Sequence, residues 1–200
     1  MDGFFKADRF LRMEGFQHPR FLPYRSQLVP LATIMTHLKD RWLEPKIREK
    51  LSKWYWCGVL GELYGSAIET RMANDLHEVL AWVESDTAPM PSTVIAAGFQ
   101  STRLDTLRSR TSAAYRGIYI LLQRQEARDF FWKAKMVDLD RDECAIDIHH
   151  IFPRNWCQTQ VPAIAPKVFN SIINKTPISY KANRMIGGQA PSAYLLQLQK

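Results

Sequence analysis

Apolar residues recur at helical spacing through much of this chain, and that period most restricts its fold. In the segment that begins at Pro45, residues Ile47, Leu51, Trp54 and Gly58 fall on one stripe, and proline suits the first turn of a helix. The same kind of pattern predicts helices over 27–38, 45–64, 67–84, 102–107 and 112–123, with a proline-containing break at 86–92. We therefore expect a helical region from about residue 27 to about residue 128.

The helical period is absent before residue 27 and is lost after Met136. Residues 1–27 predict an irregular lead-in, and residues 137–143 predict an acidic loop. Beyond that loop, 145–152 and 171–178 predict two short strands joined by a long loop. Ser179 is a good N-cap for a small helix, which the pair Gly187-Gly188 ends, and 191–199 predicts a last helix.

These segments predict an α+β fold with two domains. A helical domain is expected over 1–136, and a strand–loop–strand–helix unit over 137–200. The chain has 200 residues, of which 46% are hydrophobic, so it is long enough to bury a substantial core.

Positive charge is concentrated at the end of a chain whose formal net charge is +7. From Ile148 onward the sequence contains no Asp or Glu, but it has six basic residues: Arg154, Lys167, Lys175, Lys181, Arg184 and Lys200. This charge pattern predicts that the protein binds a phosphate backbone and that its affinity falls as the salt concentration rises. A basic tail that only keeps the protein soluble is the alternative.

The three cysteines are an odd number and form no Cys-x-x-Cys pair, which argues against a disulfide framework and a zinc ribbon. The N-terminus does not resemble a signal peptide, and no apolar run approaches the length of a membrane span. We therefore predict a soluble protein of the cytoplasm with no membrane partner.

Several aromatic and histidine residues of the helical region have a structural interpretation. Residues Trp54-Tyr55-Trp56 suggest a base-stacking platform, but helical spacing around them favours packing in the core. His37 and His77 each lie alone in a predicted helix, and we assign them no role.

The pair His149-His150, at the end of the first predicted strand, has the chemistry that phosphodiester hydrolysis needs. Hydrolysis requires an activated water, charge neutralisation at phosphorus and stabilisation of the leaving oxygen. A histidine can take the proton from water, and a divalent metal can provide the rest. Neighbours on a strand point to opposite faces, so both histidines serve one site only if the strand ends here, as Pro153 suggests.

Two asparagines complete the candidate site. Asn183 lies four residues after Ser179, in the first turns of the small helix, where its side chain can point back towards the histidines. The amide of Asn174, in the second strand segment, can fix the loop that carries them. Asp147, the last acidic residue, is either a support for a metal ligand or a simple strand-end carboxylate.

This set of residues resembles the motif of His-Asn-His endonucleases, also called ββα-metal nucleases, including the spacing of nine residues between the two asparagines. The chain also resembles the C-terminal nuclease region of GmrSD-type restriction enzymes, prokaryotic defence proteins that cut modified foreign DNA. The strings that carry this second resemblance are 150–153, 174–179, 183–188 and 191–195, with the less specific strings 21–24, 27–31, 54–57 and 112–117 upstream.

The resemblance implies an endonuclease that hydrolyses DNA, with RNA left open as a substrate. His150 would be the general base, His149 and Asn183 the metal ligands, and Asn174 the residue that orients the loop. The implied cofactor is Mg²⁺, with Mn²⁺ or Zn²⁺ as alternatives. From charge and proximity to the motif alone, we expect Arg154, Lys175 and Arg184 to contact phosphate.

The sequence departs from the family pattern at three points. Many relatives have an acidic residue at the position of His149, and some have histidine at that of Asn183. Larger relatives carry an N-terminal nucleotide-hydrolysing region, but this chain has no glycine-rich phosphate loop, so that region is expected in a partner or elsewhere in a longer protein.

Two other functions stay open at this point. One is a nucleic-acid-binding subunit with a degenerate nuclease centre, because the His-Asn-Asn set lacks a carboxylate. The other is a zinc-stabilised structural domain using Cys144, His150 and Cys157, although their spacing matches no common zinc pattern.

Overall fold

The computed structural model describes residues 1–141 and 146–198, which are mostly helical and contain a two-stranded antiparallel sheet. The fold is therefore α+β, as predicted. The strands are β1, Ile146–His150, and β2, Lys175–Ser179. The helices are α1 Asp2–Met13, α2 Leu28–Leu38, α3 Pro45–Leu60, α4 Ile68–Glu84, α5 Ser92–Ala96, α6 Arg103–Thr106, α7 Ala113–Arg124, α8 Met136–Arg141, α9 Arg154–Thr159, α10 Pro166–Phe169, α11 Tyr180–Ile186 and α12 Pro191–Leu198. Within these described ranges, every helix is too short or too polar to cross a membrane.

The chain forms two compact units whose limits differ from the expected boundary at residue 136. Unit 1 is Met1–Phe99 with Arg110–Ile120, and unit 2 is Gln100–Ser109 with Leu121–Lys200. Backbone hydrogen bonding explains why residues 100–109 belong to unit 2, since Ile172 N donates to Leu107 O over 2.8 Å. A functional division into 1–136 and 137–200 stays a prediction.

Aromatic side chains fill the core of unit 1. Phe10 packs edge-on against Trp42 and Tyr55, with ring centroids 6.3 Å apart in both pairs. Trp54 and Tyr55 are buried, so the prediction of core packing is confirmed for these two residues. Trp56 is only partly buried. The predicted stripe of α3 is buried along its whole length, and Pro45 occupies its first turn.

Two predictions for irregular segments were wrong. Residues 2–13 form helix α1, which buries Gly3, Ala7, Phe10 and Leu11 at helical spacing. The exposed rings of adjacent Phe4 and Phe5 hide that period in the sequence. Residues 136–141, expected to be part of a loop, form the short helix α8.

Unit 2 has the predicted order of strand, long connection, strand and helix. Residues pair from Ile146 opposite Ser179 to His150 opposite Lys175. Ser179 caps α11 as predicted, since its side chain accepts a hydrogen bond from Ala182 N, and Gly187 ends the helix with a φ of 55°. The strand β2 begins later than expected because residues 172–174 form a 3-10 turn, and the connection contains α9 and α10.

A small apolar cluster holds α11 and α12 beside the sheet. Its fully or nearly fully buried members are Ile178, Ala182, Ile186 and Tyr194, and Phe130 and Phe131 pack against them. The Tyr194 hydroxyl also donates to Ile151 O over 2.7 Å. Helix α12 therefore fixes the backbone immediately after the two histidines.

Candidate active site

Strand β1 ends at His150, but its two histidines contact different segments. His149 lies opposite Thr176 in the sheet, and His150 lies opposite Lys175. His149 contacts α11, whereas His150 contacts the connection before β2. Successive side chains on a strand point to opposite faces, which explains why the two histidines diverge. Although the strand ends at His150, the two imidazoles therefore contact different residues.

The two predicted metal ligands lie in direct contact. His149 Nδ1 is 2.7 Å from Asn183 Oδ1. His149 is buried, and its ring stands edge-on to Tyr194 with centroids 6.3 Å apart. Because Ser179 fixes the start of α11, Asn183 comes in the second turn of the helix on the side that faces β1.

The predicted general base has a partner that sequence reasoning missed. His150 Nε2 is 3.1 Å from Asn170 Oδ1, and its ring stands edge-on to Phe169 at 6.2 Å. An amide oxygen can only accept, so Nε2 donates in this hydrogen bond, and in a neutral imidazole the basic nitrogen is then Nδ1. Asn170 lies at the end of the short helix α10, and no spacing in the sequence singled it out.

Asn174 holds the chain on both sides of the connection between the strands. Its Oδ1 accepts from Phe152 N over 2.8 Å. Its Nδ2 donates to Phe152 O over 3.0 Å and to Phe169 O over 2.9 Å, while its backbone oxygen accepts from Ile151 N. These contacts are the ones that a loop-positioning residue needs, and we call them the Asn174 clasp.

The three expected phosphate-binding residues occupy different places around the sheet. Arg154 is exposed at the first position of α9. Lys175 lies directly across the sheet from His150, so the two side chains share a face, and Lys175 Nζ donates to Arg108 O over 3.1 Å. Arg184 is exposed, and its guanidinium lies 5.1 Å from the ring centroid of Tyr180.

A buried carboxylate that sequence reasoning also missed supports the start of α11. Asp129 is 2% exposed. Its Oδ1 accepts from the backbone nitrogens of Phe131 and Trp132, and its Oδ2 accepts from Ser179 N over 2.6 Å. An aspartate followed by a turn was the local signal for this role, but its link to Ser179, fifty residues away, is visible only in the fold.

The proposed zinc site and the proposed role of Asp147 fall partly outside the described residues. The backbone of Asp147 lies opposite Ile178, but its side chain and all of Cys144 are not described. Cys157 is buried, and its thiol donates to Phe152 O over 3.4 Å. Burial raises the pKa of the Cys157 thiol, which disfavours the thiolate that zinc requires.

The donor chemistry at His149 and Asn183 fits part of a divalent metal site. His149 Nδ1 and Asn183 Oδ1 lie 2.7 Å apart and would be the atoms that hold a cation. Because an amide oxygen only accepts, Nδ1 carries the proton in this contact and would have to lose it to bind a metal. Amide oxygen suits Mg²⁺ and Mn²⁺, whereas imidazole suits zinc-like metals. In the described part of the chain no three His, Cys, Asp or Glu side chains cluster as a metal site.

Comparison with known proteins identifies a relative but gives no activity. The chain is 28% identical over 159 residues to an uncharacterized protein of Methanocaldococcus jannaschii. The match covers 76% of this chain and 26% of the relative, so the chain spans about a quarter of that protein's length. No family model matches the chain, and no solved structure matches it significantly.

Proposed function

We propose that this chain is a metal-dependent nuclease of the His-Asn-His class and that it hydrolyses phosphodiester bonds in DNA. The observation that carries the proposal is the contact between His149 and Asn183, which joins β1 to α11 across 2.7 Å. The adjacent His150 and the Asn174 clasp provide the other parts of the motif. In this proposal the strands β1 and β2 with α11 form the ββα-metal unit.

The proposed mechanism begins with His150. Its Nε2 is held by Asn170, which orients the ring so that Nδ1 can accept a proton from the attacking water. The Asn174 clasp keeps Ile151 and Phe152, immediately after this histidine, in a fixed position. Lys175, Arg154 and Arg184 would bind phosphate oxygens and align the scissile bond.

His149 and Asn183 would hold the divalent cation. When bound, the cation supplies charge neutralisation at the phosphate and stabilisation of the leaving oxygen. Mg²⁺ is the proposed ion because DNA supplies oxygen ligands, and Mn²⁺ and Zn²⁺ are the alternatives that the imidazole favours. With only two neutral protein ligands, metal affinity should rise when substrate phosphate is present.

The second candidate function is a nucleic-acid-binding subunit with a degenerate centre. One observation favours it: in the described residues, no group of three or more His, Cys, Asp or Glu side chains could hold a metal ion. Such a protein would keep the basic surface and bind DNA, but it would not cleave it.

The relative's greater length supports placing this unit in a larger protein or assembly. Because the chain matches only 26% of that relative, further regions accompany the corresponding segment there. We propose a prokaryotic restriction enzyme of the cytoplasm whose nucleotide-hydrolysing region lies in a partner or elsewhere in a longer chain. In this proposal, the other regions of that larger assembly recognise the base modification.

Cleavage of matched DNA and RNA tests the proposed reaction and its substrate class. Purified protein is incubated with end-labelled DNA and RNA of the same sequence, with Mg²⁺ or with chelator, and the products are resolved on a gel. We expect Mg²⁺-dependent DNA fragments. Binding of DNA without any cleavage under all metal conditions would support the degenerate subunit instead.

DNA affinity should depend steeply on salt. Six basic residues and no acidic residue follow Asp147, and each phosphate contact adds about 0.9 to the slope of log affinity against log salt on duplex DNA. The slope is measured by fluorescence anisotropy between low and high salt. Replacing Arg184 by Gln should reduce this slope by about 0.9, the share of one phosphate contact. An affinity that does not change with salt would contradict the proposal.

Asn183→Ala should impair activity in a way that metal partly restores. The variant removes one metal ligand but leaves His150 and its contact with Asn170 in place. We expect a higher metal concentration for half-maximal cleavage, by about 10-fold or more, with a recoverable maximal rate. A maximal rate that stays low at every metal concentration would show that Asn183 does not act through the metal.

A further inference from the structure

Two exposed pairs of an aromatic ring and a cation lie at the start of α11, one on Trp132 and one on Tyr180. We call Trp132, Tyr180, Lys181 and Arg184 the aromatic–cation surface. Trp132 is 48% exposed and Tyr180 is 49% exposed. The Lys181 ammonium lies 4.7 Å from the Trp132 ring centroid and 4.4 Å from that of Phe131, and the Arg184 guanidinium lies 5.1 Å from that of Tyr180.

The buried carboxylate of Asp129 builds this surface from two separate segments. Its Oδ1 binds the backbone nitrogen of Trp132 over 2.7 Å, and its Oδ2 binds that of Ser179, next to Tyr180. Phe131 packs on the apolar cluster under α11. The surface is therefore held by buried groups, although its aromatic rings remain accessible.

The charges of this surface suit a polyanion. The contacts of Lys181 are with the two aromatic rings, and in the described part of the chain it forms no salt bridge. Lys181 and Arg184 belong to the stretch after Asp147 that contains no acidic residue. A protein surface of this composition attracts phosphate and at the same time offers flat apolar rings.

We propose that the aromatic–cation surface binds single-stranded nucleic acid, with unpaired bases stacked on Trp132 and Tyr180 and phosphates bound by Lys181 and Arg184. Bases in a duplex hide their faces in the stack, so exposed rings can stack only on bases that are unpaired or turned out. As a substrate preference this rests on the proposed nuclease function. It would favour DNA that contains a single-stranded segment as the substrate.

The test measures binding separately from cleavage. Fluorescence anisotropy compares a labelled single-stranded oligonucleotide with a duplex of equal length, in chelator so that neither is cut. Trp132→Ala should weaken single-strand binding by about 5- to 100-fold, as expected for loss of one stacked base. Trp132→Phe, which keeps an aromatic face, should retain most of the affinity, and duplex binding should change much less.

A matched control is Phe5→Ala, which removes an aromatic side chain that is 71% exposed in α1 of unit 1. It should leave both affinities unchanged. Lys181→Gln should lower the salt slope on single strands by about 0.7. Unchanged single-strand affinity in a folded Trp132→Ala protein, or equal losses on both substrates, would overturn the proposal.

The outcomes also separate this surface from the nuclease centre. Single-strand binding that depends on Trp132, without cleavage at any metal concentration, would keep the surface and reject the proposed reaction. Cleavage that persists while Trp132→Ala binds single strands normally would reject the surface and keep the reaction.

Discussion

Replacing His150 by alanine is expected to slow metal-dependent cleavage by about 10²- to 10⁴-fold, the usual contribution of a positioned general base. The variant loses the nitrogen that is proposed to accept the proton from water. It keeps His149, Asn183 and the basic residues, so its DNA affinity should remain close to that of the wild type. Single-turnover rates at saturating metal measure the chemical step, and anisotropy in chelator measures binding.

The competing explanation of His150 is structural, because the ring packs against Phe169 and bonds to Asn170. If packing were its role, the variant would melt at a lower temperature and lose activity only as far as it unfolds. His77→Ala is the matched control, since it removes an exposed imidazole from α4. All three proteins are compared by melting temperature and by rate on the same preparations.

Asn174→Ala is expected to destabilise unit 2 and to lower activity together. It removes the three side-chain hydrogen bonds of the Asn174 clasp, each of which contributes about 1 kcal/mol to stability. We expect the free energy of unfolding to fall by about 2–3 kcal/mol, because the backbone groups of Phe152 and Phe169 lose their partner. The cleavage rate of the variant should be lower than that of the wild type even at temperatures well below its melting temperature, since the segment after His150 is no longer fixed.

Two further variants make the Asn174 prediction specific. Asn174→Asp keeps an acceptor for Phe152 N but cannot donate to the two carbonyl oxygens, so it should not restore stability. Asn74→Ala removes an exposed asparagine from α4 and should change neither property. Urea unfolding gives the free energies, and an Asn174→Ala protein with wild-type stability and activity would rule out the clasp.

Local sequence signals predicted most of the secondary structure. The stripe of α3 and the cap at Ser179 depend on residues close together in the chain, and both are present in the structure. Helix α1 was missed because Phe4 and Phe5 are apolar but exposed, which obscures the pattern of its buried face.

The candidate site was partly accessible from the sequence because its main residues follow a known spacing. Asn183 contacts His149 as its position after the Ser179 cap suggests. Asn170 and Asp129 could not be found in this way, since their partners are 20 and 50 residues away in the chain. Their roles depend on how two segments fold against the sheet: the connection between β1 and β2, which carries Asn170, and the turn that carries Asp129. A repeating pattern of neighbouring residues cannot predict such contacts.

The most direct test of the central claim is nicking of supercoiled plasmid by the wild-type protein as a function of divalent metal. The proposal predicts nicking with Mg²⁺ or Mn²⁺, none in the presence of chelator, and full recovery when metal is added back. His150→Ala purified in parallel should nick about 10²- to 10⁴-fold more slowly, which excludes a contaminating nuclease. The absence of nicking with every metal, or nicking that continues in chelator or at the wild-type rate in His150→Ala, would contradict the account.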